Sequence, residues 1–245
     1  MPTRRTKTSD RTKANDRTQA NNRPYSRSFS GAYKFNSLSI ASDNSGLTDF
    51  NLNTFTVRAI VKINERQAGP SKLFGMNNNH YYFGFWSNDR ILFLHRNATG
   101  GQKLVATPNF VLSDHYHVWR EYTLRVNTIG SNLTVDMFID GENVLNYTAS
   151  DGFDSNFNQS AVVIGQSVVN TDISFVEFMD QAVTNEQIQE LIKVKSCSEI
   201  GITPVDNWDF RDRSGTTLTG LNNDFTLTNN GDWNVSYPVA RPIAT

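Results

Sequence analysis

Hydrophobic and polar residues alternate with a period of two along most of the chain from Tyr33 onward. In residues 55–63 (FTVRAIVKI) nearly every second side chain is apolar, which predicts a strand with one buried face. Two mostly apolar runs, residues 81–86 and 90–95, flank a Ser-Asn-Asp turn, and the Asp140-Gly141 pair separates two further runs. Both patterns predict hairpins. Other short β-runs are residues 119–126, 133–139, 144–148, 161–165 and 173–178.

One segment breaks this alternation and predicts a helix. Thr184 and Gln187 have the spacing of a capping box, and apolar residues then recur at helical intervals. The sequence therefore predicts one helix from about Thr184 to about Lys195. With about a dozen β-runs and no regular exchange of strands and helices, the chain is predicted to be all-β, with two antiparallel sheets packed face to face.

Several segments, in their order along the chain, resemble a known fold family. They are AYKFNSLSIAS, FTVRAIVKI, HYYFGFW with RILFLH, a W-x-x-Y-x-L-x-V strand, FIDGENV, AVVIGQ and ISFVEFMDQAVTNEQIQEL. This order resembles the laminin-G-like members of the concanavalin A-like jelly rolls over roughly residues 31–235. The stretch VDNWDFRDRSGTTLTGLNNDFTLTNNGDW resembles a segment that comes first in many members, so the order here looks circularly permuted. Such an order implies that the two ends of the sandwich lie side by side.

The first residues have a different character. Residues 5–22 repeat a six-residue unit (RTKTSD, RTKAND, RTQANN) without a bulky apolar side chain, so they cannot offset their own ordering entropy. We predict an extended arm over residues 1–28 and the jelly-roll sandwich over residues 29–245. Residues 1–27 carry a net charge of +6 and the rest −7. The side chains expected to anchor the arm to an acidic partner are Arg5, Lys7, Arg11, Lys13, Arg17, Arg23 and Arg27.

Composition excludes several classes of protein. The single cysteine, Cys197, rules out an intrachain disulfide and a cysteine-based metal cluster. The N-terminus lacks the apolar region of a signal peptide, and no apolar run approaches the roughly 18 residues of a membrane span. We therefore expect a protein that is made in the host cytoplasm without membrane insertion.

The residues that could carry catalysis do not form a recognisable set. The glucanase branch of the resembling superfamily is expected to show E-x-D-x-x-E along one strand, and only Glu177 and Asp180 approach it. Because they are three residues apart, we interpret them as one exposed acid and one turn acid. His115 and His117 are interpreted as solvated loop residues, and Cys197 as an inert thiol. The chain is therefore predicted not to be an enzyme.

Two kinds of ligand site have candidate residues. No cofactor is expected, but the resemblance implies that Ca²⁺ could bind at a rim of the sandwich, with Asp43, Asp151, Asp154 and Asp172 as candidates. Aromatic platforms beside amide groups suit carbohydrate, and the candidates are Asn78, Tyr81, Tyr82 and Trp86. The alternative is that about half of this aromatic strand faces the core.

These features favour a non-enzymatic structural and decoration protein of a virion, in particular of a tailed bacteriophage. The arm would bind capsid or tail subunits in many copies, and the sandwich would display loops to host-surface glycans. Nucleic acid is not the expected partner, because Asp10 and Asp16 interrupt the basic charge. The alternatives are a free carbohydrate-binding lectin, a glucanase-type hydrolase and a genome-packaging capsid protein.

Overall fold

The computed structural model describes residues 32–35, 41–43, 53–67, 69–76, 81–97, 99–108, 111–150, 162–166, 168, 170–210, 217–221, 226–229 and 234–236. For residues 32–35, 41–43, 217, 226–229 and 234–236 the description covers the backbone alone. The predicted arm, residues 1–28, lies outside the described residues.

Strands dominate the described part of the chain. They are β1 (Ala32–Phe35), β2 (Ala41–Asp43), β3 (Thr54–Ile63), β4 (Ser71–Met76), β5 (Tyr81–Trp86), β6 (Arg90–Arg96), β7 (Gln102–Ala106), β8 (Trp119–Ile129), β9 (Asn132–Ile139), β10 (Glu142–Ala149), β11 (Val162–Gln166), β12 (Thr171–Met179), β13 (Asp206–Asp209), β14 (Thr217–Thr219), β15 (Thr226–Asn229) and β16 (Asn234–Ser236). One α-helix, α1 (Asn185–Leu191), and two short 3-10 turns, Leu112–His115 and Cys197–Ile200, accompany them.

The strands form two antiparallel sheets, which confirms the predicted all-β sandwich. Sheet 1 has the order β10-β9-β8-β3-β12-β1-β16, and β13 also pairs with β12. Sheet 2 has the order β14-β15-β2-β11-β4-β5-β6-β7. In sheet 1 Ala32 pairs with Ser236, and in sheet 2 Ser42 pairs with Thr228. Strands that come early in the chain are therefore neighbours of strands that come late in the chain in both sheets, as a permuted strand order requires.

The core lies between the two sheets and is rich in aromatic rings. Phe74 of sheet 2 stacks on Phe178 of sheet 1 with ring centroids 5.4 Å apart, and Phe85 meets Tyr122 edge to face at the same distance. Such contacts stabilise beyond the burial of apolar area alone. Alternation along the strands supplies these inward side chains, as the sequence predicts.

The outer face of sheet 1 is buried as well, which corrects the prediction of strands with one buried face. In β3 the outward Thr56 and Arg58 are as inaccessible to solvent as the inward Val57. The segment after β12, which includes α1, supplies the cover. A second apolar cluster forms there from Phe138, Met179, Val183, Ile188, Leu191, Cys197 and Ile202.

Arg58 joins this cover to sheet 1. Its Nη1 lies 3.1 Å from Glu177 Oε2, and its Nη2 lies 3.0 Å from Glu121 Oε2. The same guanidinium donates to the backbone carbonyls at the end of α1 and beyond, those of Leu191 (2.8 Å), Val194 (2.8 Å) and Lys195 (3.3 Å). A guanidinium at the negative end of a helix is favourable, and the two carboxylates balance its buried charge.

Arg125 holds the other end of α1. Its Nε and Nη2 donate to Asp136 Oδ2 at 2.9 and 2.7 Å. Its Nη1 donates to the Val183 carbonyl at 2.8 Å and to Asn185 Oδ1 at 2.9 Å. The two arginines thus fix a short helix that would be marginal alone.

The helix begins as predicted and ends earlier. Thr184 and Gln187 form the reciprocal capping box that the sequence predicts. The prediction of a helix through Lys195 is wrong, because α1 ends at Leu191. The carbonyls of Val194 and Lys195 point to Arg58 instead of continuing helical hydrogen bonds.

Replacement of Arg58 by methionine should destabilise the protein strongly. The change leaves Glu121 and Glu177 without their buried counter-charge, and we expect a loss of about 3–5 kcal/mol in the free energy of unfolding. Urea denaturation measures it, with the exposed Lys193→Met as the control. A loss below about 1 kcal/mol, within the range of a surface pair, would show that the network is dispensable.

Candidate functional site

Among the described residues, the non-glycine residues with strained backbone angles lie at one end of the sandwich. Four non-glycine residues have positive φ: Asp89 (61°), His117 (62°), Asp140 (49°) and Asn170 (40°). Register places all four beyond the strand ends near Ile63, at the same end of the two sheets. Left-handed backbone at non-glycine residues is uncommon and concentrates at ligand sites and tight turns.

Backbone hydrogen bonds connect the loops at this end. Leu112 N donates to Asp89 O at 2.8 Å, His117 N to Ile63 O at 2.7 Å, and Asn64 N to Asn170 O at 3.0 Å. We refer to residues 64–67, 87–89, 112–118, 140–141 and 170 as the loop rim. Asp140 and Gly141, both at positive φ, form the predicted hairpin turn within it.

Arg66, Asp89 and Tyr116 form a polar group on the loop rim. Arg66 Nε donates to Ser87 O at 2.7 Å and lies 4.0 Å from Asp89 Oδ2. The Tyr116 hydroxyl donates to Asp89 Oδ1 at 2.8 Å. Burial and this bond to the carboxylate raise the pKa of Tyr116, so the hydroxyl stays a donor at neutral pH. The Arg66 side chain is 67% exposed, which leaves its guanidinium accessible to a ligand.

Aromatic rings border the same end. Trp86 is half-buried and directly precedes the turn at residues 87–89. Tyr116 packs on the core, and its ring meets that of His117 edge to face at 6.4 Å. Trp119 lies beside the loop rim, with Lys62 Nζ 5.3 Å from its ring centre. Half-buried rings beside polar groups are the chemistry that sugar rings require.

Three of the aspartates at this end, Asp140, Asp172 and Asp89, have basic partners. Arg120 Nη1 lies 2.6 Å from Asp140 Oδ2, and Lys62 Nζ lies 2.6 Å from Asp172 Oδ2. Asp89 faces Arg66. Carboxylate and basic groups therefore alternate, and the charge at this end is nearly balanced.

Of the four predicted carbohydrate residues, the three that the structure describes do not form one site. Tyr81 is 1% exposed and belongs to the core, because β5 turns alternate side chains inward. Tyr82 faces outward from sheet 2 but is only 6% exposed. Trp86 alone lies beside the loop rim, and Asn78 lies outside the described residues.

Lys72 lies over the outward face of Tyr82. Lys72 Nζ lies 5.3 Å from the Tyr82 ring centre and donates to Gln166 Oε1 at 2.6 Å. Burial lowers the pKa of Lys72 to about 8. The outer face of sheet 2 thus carries a packed polar group, whereas the loop rim carries accessible ones.

The calcium candidates receive no support from the described residues. Asp172 is bound by Lys62, and Asn64 Nδ2 donates to the same oxygen at 3.2 Å, so its charge is already neutralised. No group of three or more His, Cys, Asp or Glu in the described part of the chain could hold a metal ion. Asp151, Asp154 and the side chain of Asp43 lie outside that part.

The interpretation of Glu177 as an exposed acid is wrong. Glu177 is fully buried, and it accepts from Arg58, from Ser196 Oγ at 2.7 Å and from Cys197 N at 3.0 Å. Asp180 is exposed at a turn, as predicted. Burial first, and Glu177 second, raise the pKa of the buried Cys197 thiol, which fits the predicted inert thiol.

The two histidines differ from their prediction in one respect. His117 is exposed, as expected for a solvated loop residue. His115 is half-buried at the end of the 3-10 turn Leu112–His115, and burial, with Arg120 as a second cause, lowers its pKa. It is therefore neutral at pH 7, and its pairing with His117 along a strand does not occur.

A family model described as the concanavalin A-like lectin/glucanases superfamily, Laminin_G_3, matches residues 34–189. The chain belongs to this superfamily. The match confirms the resemblance drawn from its strand and turn order. No curated protein matches this laminin-G-like chain. No described helix is long and apolar enough to cross a membrane.

Two solved structures show how far the likeness extends. A Bacteroides ovatus protein, named for an inferred carbohydrate-binding role, shares 15% identity at a TM-score of 0.64 over 86% of this chain and 60% of its own. The NanB sialidase of Streptococcus pneumoniae shares 18% identity at a TM-score of 0.53 over 65% of this chain and 27% of its own. At these identities the comparison establishes the fold alone. This laminin-G-like chain therefore spans less than two thirds of either protein.

Sequence reasoning missed Arg66, Asp89 and Tyr116 as a group. The Ser-Asn-Asp turn before β6 is visible in the sequence, but its left-handed residue is not. The three residues come from separate connections of the two sheets, and the pairing of β3 with β8 together with the packing of one sheet on the other brings them together.

The buried position of Lys72 predicts a pH dependence of stability. Its pKa in the folded state is about 8 against an ordinary 10.5, so between these values the unfolded chain holds a proton that the folded chain lacks. Stability should therefore rise with pH through this window relative to Lys72→Met, by about 1 kcal/mol between pH 7 and 9.5 after solvent screening. Urea unfolding of both proteins at the two pH values measures the difference. If the difference in unfolding free energy between the wild type and Lys72→Met is the same at both pH values, the Lys72 ammonium is solvated in the folded protein.

Proposed function

We propose that this chain is a non-catalytic carbohydrate-binding sandwich that presents the loop rim to a glycan. The observation that carries the proposal is the group formed by Arg66, Asp89 and Tyr116, in which a donor, an acceptor and a ring adjoin on an accessible surface. Few polar groups fixed beside aromatic rings are typical of sites that orient a sugar. The inferred role of the Bacteroides ovatus protein agrees with this proposal.

The second support is that, among the described residues, two other candidate regions are already packed against their neighbours. The outer face of sheet 1 lies under α1, and Arg58 and Glu177 are engaged there. On the outer face of sheet 2 Tyr82 is nearly buried beneath Lys72. A glucanase mechanism would need two carboxyl groups about 5–5.5 Å apart beside the substrate, and the nearest sequence candidate, Glu177, is sealed in an ion pair.

We further propose that the basic arm, residues 1–28, anchors the sandwich to a virion, as a decoration protein of a tailed bacteriophage capsid or tail. Its charge of +6 against −7 for the rest of the chain supports an acidic partner. A free lectin is the alternative, and it would bind glycan equally well without any particle.

A glycan array probed with the full chain tests carbohydrate binding. Tyr116→Ala should abolish at least about nine tenths of the signal, because it removes a ring and the bond that orients Asp89. Ile129→Ala is the matched control, since Ile129 is 72% exposed on the β8–β9 hairpin at the opposite end. Equal signals for the two variants, or no bound glycan at all, would reject the proposal.

Deletion of residues 1–28 tests the anchor. The truncated chain should keep its glycan signal but lose its place on the particle, measured by co-sedimentation with purified virions and by subunit counting. Replacement of the seven anchoring residues named above by glutamine should have the same effect if charge is the cause. Full occupancy of the truncated chain would contradict anchoring and favour the free lectin.

A further inference from the structure

We infer that the loop rim recognises a neutral sugar directly, by holding adjacent hydroxyl groups between Arg66 and Asp89 with no divalent cation between protein and ligand. The inference rests on the proposed carbohydrate function and specifies its ligand and chemistry. It needs no Ca²⁺ ion of the kind that the family resemblance implies at a rim of the sandwich.

Arg66 is a hydrogen-bond donor whose orientation is fixed before a ligand binds. Exposed arginine side chains ordinarily sample many rotamers, but the bond from Nε to Ser87 O fixes the plane of this guanidinium. Nη1 and Nη2 make no hydrogen bond to the residues that the structure describes. A ligand therefore meets two oriented donors whose ordering cost is already met by the fold.

Asp89 is the matching acceptor. Its backbone is fixed at φ 61° by bonds from Asp89 N to Trp86 O and from Leu112 N to Asp89 O. Tyr116 donates to Oδ1, and Oδ2 lies 4.0 Å from Arg66 Nε, the atom that already donates to Ser87 O. That separation exceeds a direct hydrogen bond, so Oδ2 is not consumed by the guanidinium. A hydroxyl group that accepts from Nη1 or Nη2 and donates to Oδ2 would join the two side chains.

The charges at this end disfavour a bridging calcium ion. Ca²⁺ binds through six to eight oxygen ligands, several of them carboxylates. Here Asp89, Asp140 and Asp172 each face a guanidinium or ammonium group, at 4.0, 2.6 and 2.6 Å. A cation at any of them would approach a like charge, which costs free energy even near a protein surface.

The same charges select a neutral sugar over an acidic one. Glu65 is exposed on the loop rim beside Arg66, and its Oε2 accepts from Asn170 at 3.3 Å. A carboxylated or sulfated sugar at Arg66 would therefore face two carboxylates, those of Asp89 and Glu65. A neutral sugar with adjacent hydroxyls meets one donor and one acceptor without repulsion.

The variants separate this chemistry from general damage. Arg66→Met removes the donors, and Asp89→Asn keeps the bond to Tyr116 and tolerates positive φ while it removes the acceptor charge. Lys193→Met, on the exposed side of the segment after α1, is the control. Thermal unfolding of each full-length protein confirms that the fold persists.

The full chain is titrated with the neutral glycan that gives the strongest array signal, once in the presence of EDTA and once in the presence of CaCl₂. A separate titration uses the corresponding uronic acid. We expect about tenfold weaker binding for Arg66→Met and Asp89→Asn, less than about twofold change with EDTA, and weaker binding of the acid. Loss of binding in EDTA that CaCl₂ restores would overturn the inference, as would unchanged binding by both variants or preference for the acid. If the wild-type chain binds no glycan, the carbohydrate function itself fails, and the inference falls with it.

Discussion

A single buried guanidinium, that of Arg58, links the layers of this protein. It lies on the outer face of sheet 1 between Glu121 and Glu177. It donates hydrogen bonds to three backbone carbonyls of the segment that contains α1. Two carboxylates and one guanidinium out of water are costly unless their hydrogen bonds are satisfied. The segment that contains α1 provides the acceptors for those bonds. The buried charges therefore depend on this segment, and the segment depends on Arg58 for its position.

This constraint decides which surfaces a ligand can reach. With α1 held at both ends by Arg58 and Arg125, one face of the sandwich is closed. On the other sheet Lys72 lies over Tyr82 and leaves little of that ring accessible. The loop rim keeps exposed polar groups in fixed positions, with strained turns that packed neighbours maintain. Accessible polar groups at the loops and packed side chains on the sheets are therefore two consequences of one arrangement.

The sequence predicts the fold better than the site, for a physical reason. Alternation, the Asp140-Gly141 turn and the Thr184 capping box act over a few residues, and each appears in the structure as predicted. The burial of Arg58 and Glu177 could not be predicted, because polar positions on a strand look solvent-facing until a distant helix covers them. Arg66, Asp89 and Tyr116 meet through strand pairing and the packing of the two sheets, which no local pattern records. Tyr81 illustrates the same limit, because residues 81–86 are almost entirely aromatic and the sequence does not show which of them face the core.

A double-mutant cycle on Arg58 and Glu177 tests the central claim most directly. Urea unfolding of the wild type, Arg58→Met, Glu177→Gln and the double variant gives the coupling free energy of the pair. We expect the second substitution to lower the free energy of unfolding far less once the first is present, with a coupling free energy of about 2 kcal/mol or more. Costs that add within about 0.5 kcal/mol would contradict it, because the two side chains would then contribute independently and no shared network would hold the helix to the sheet.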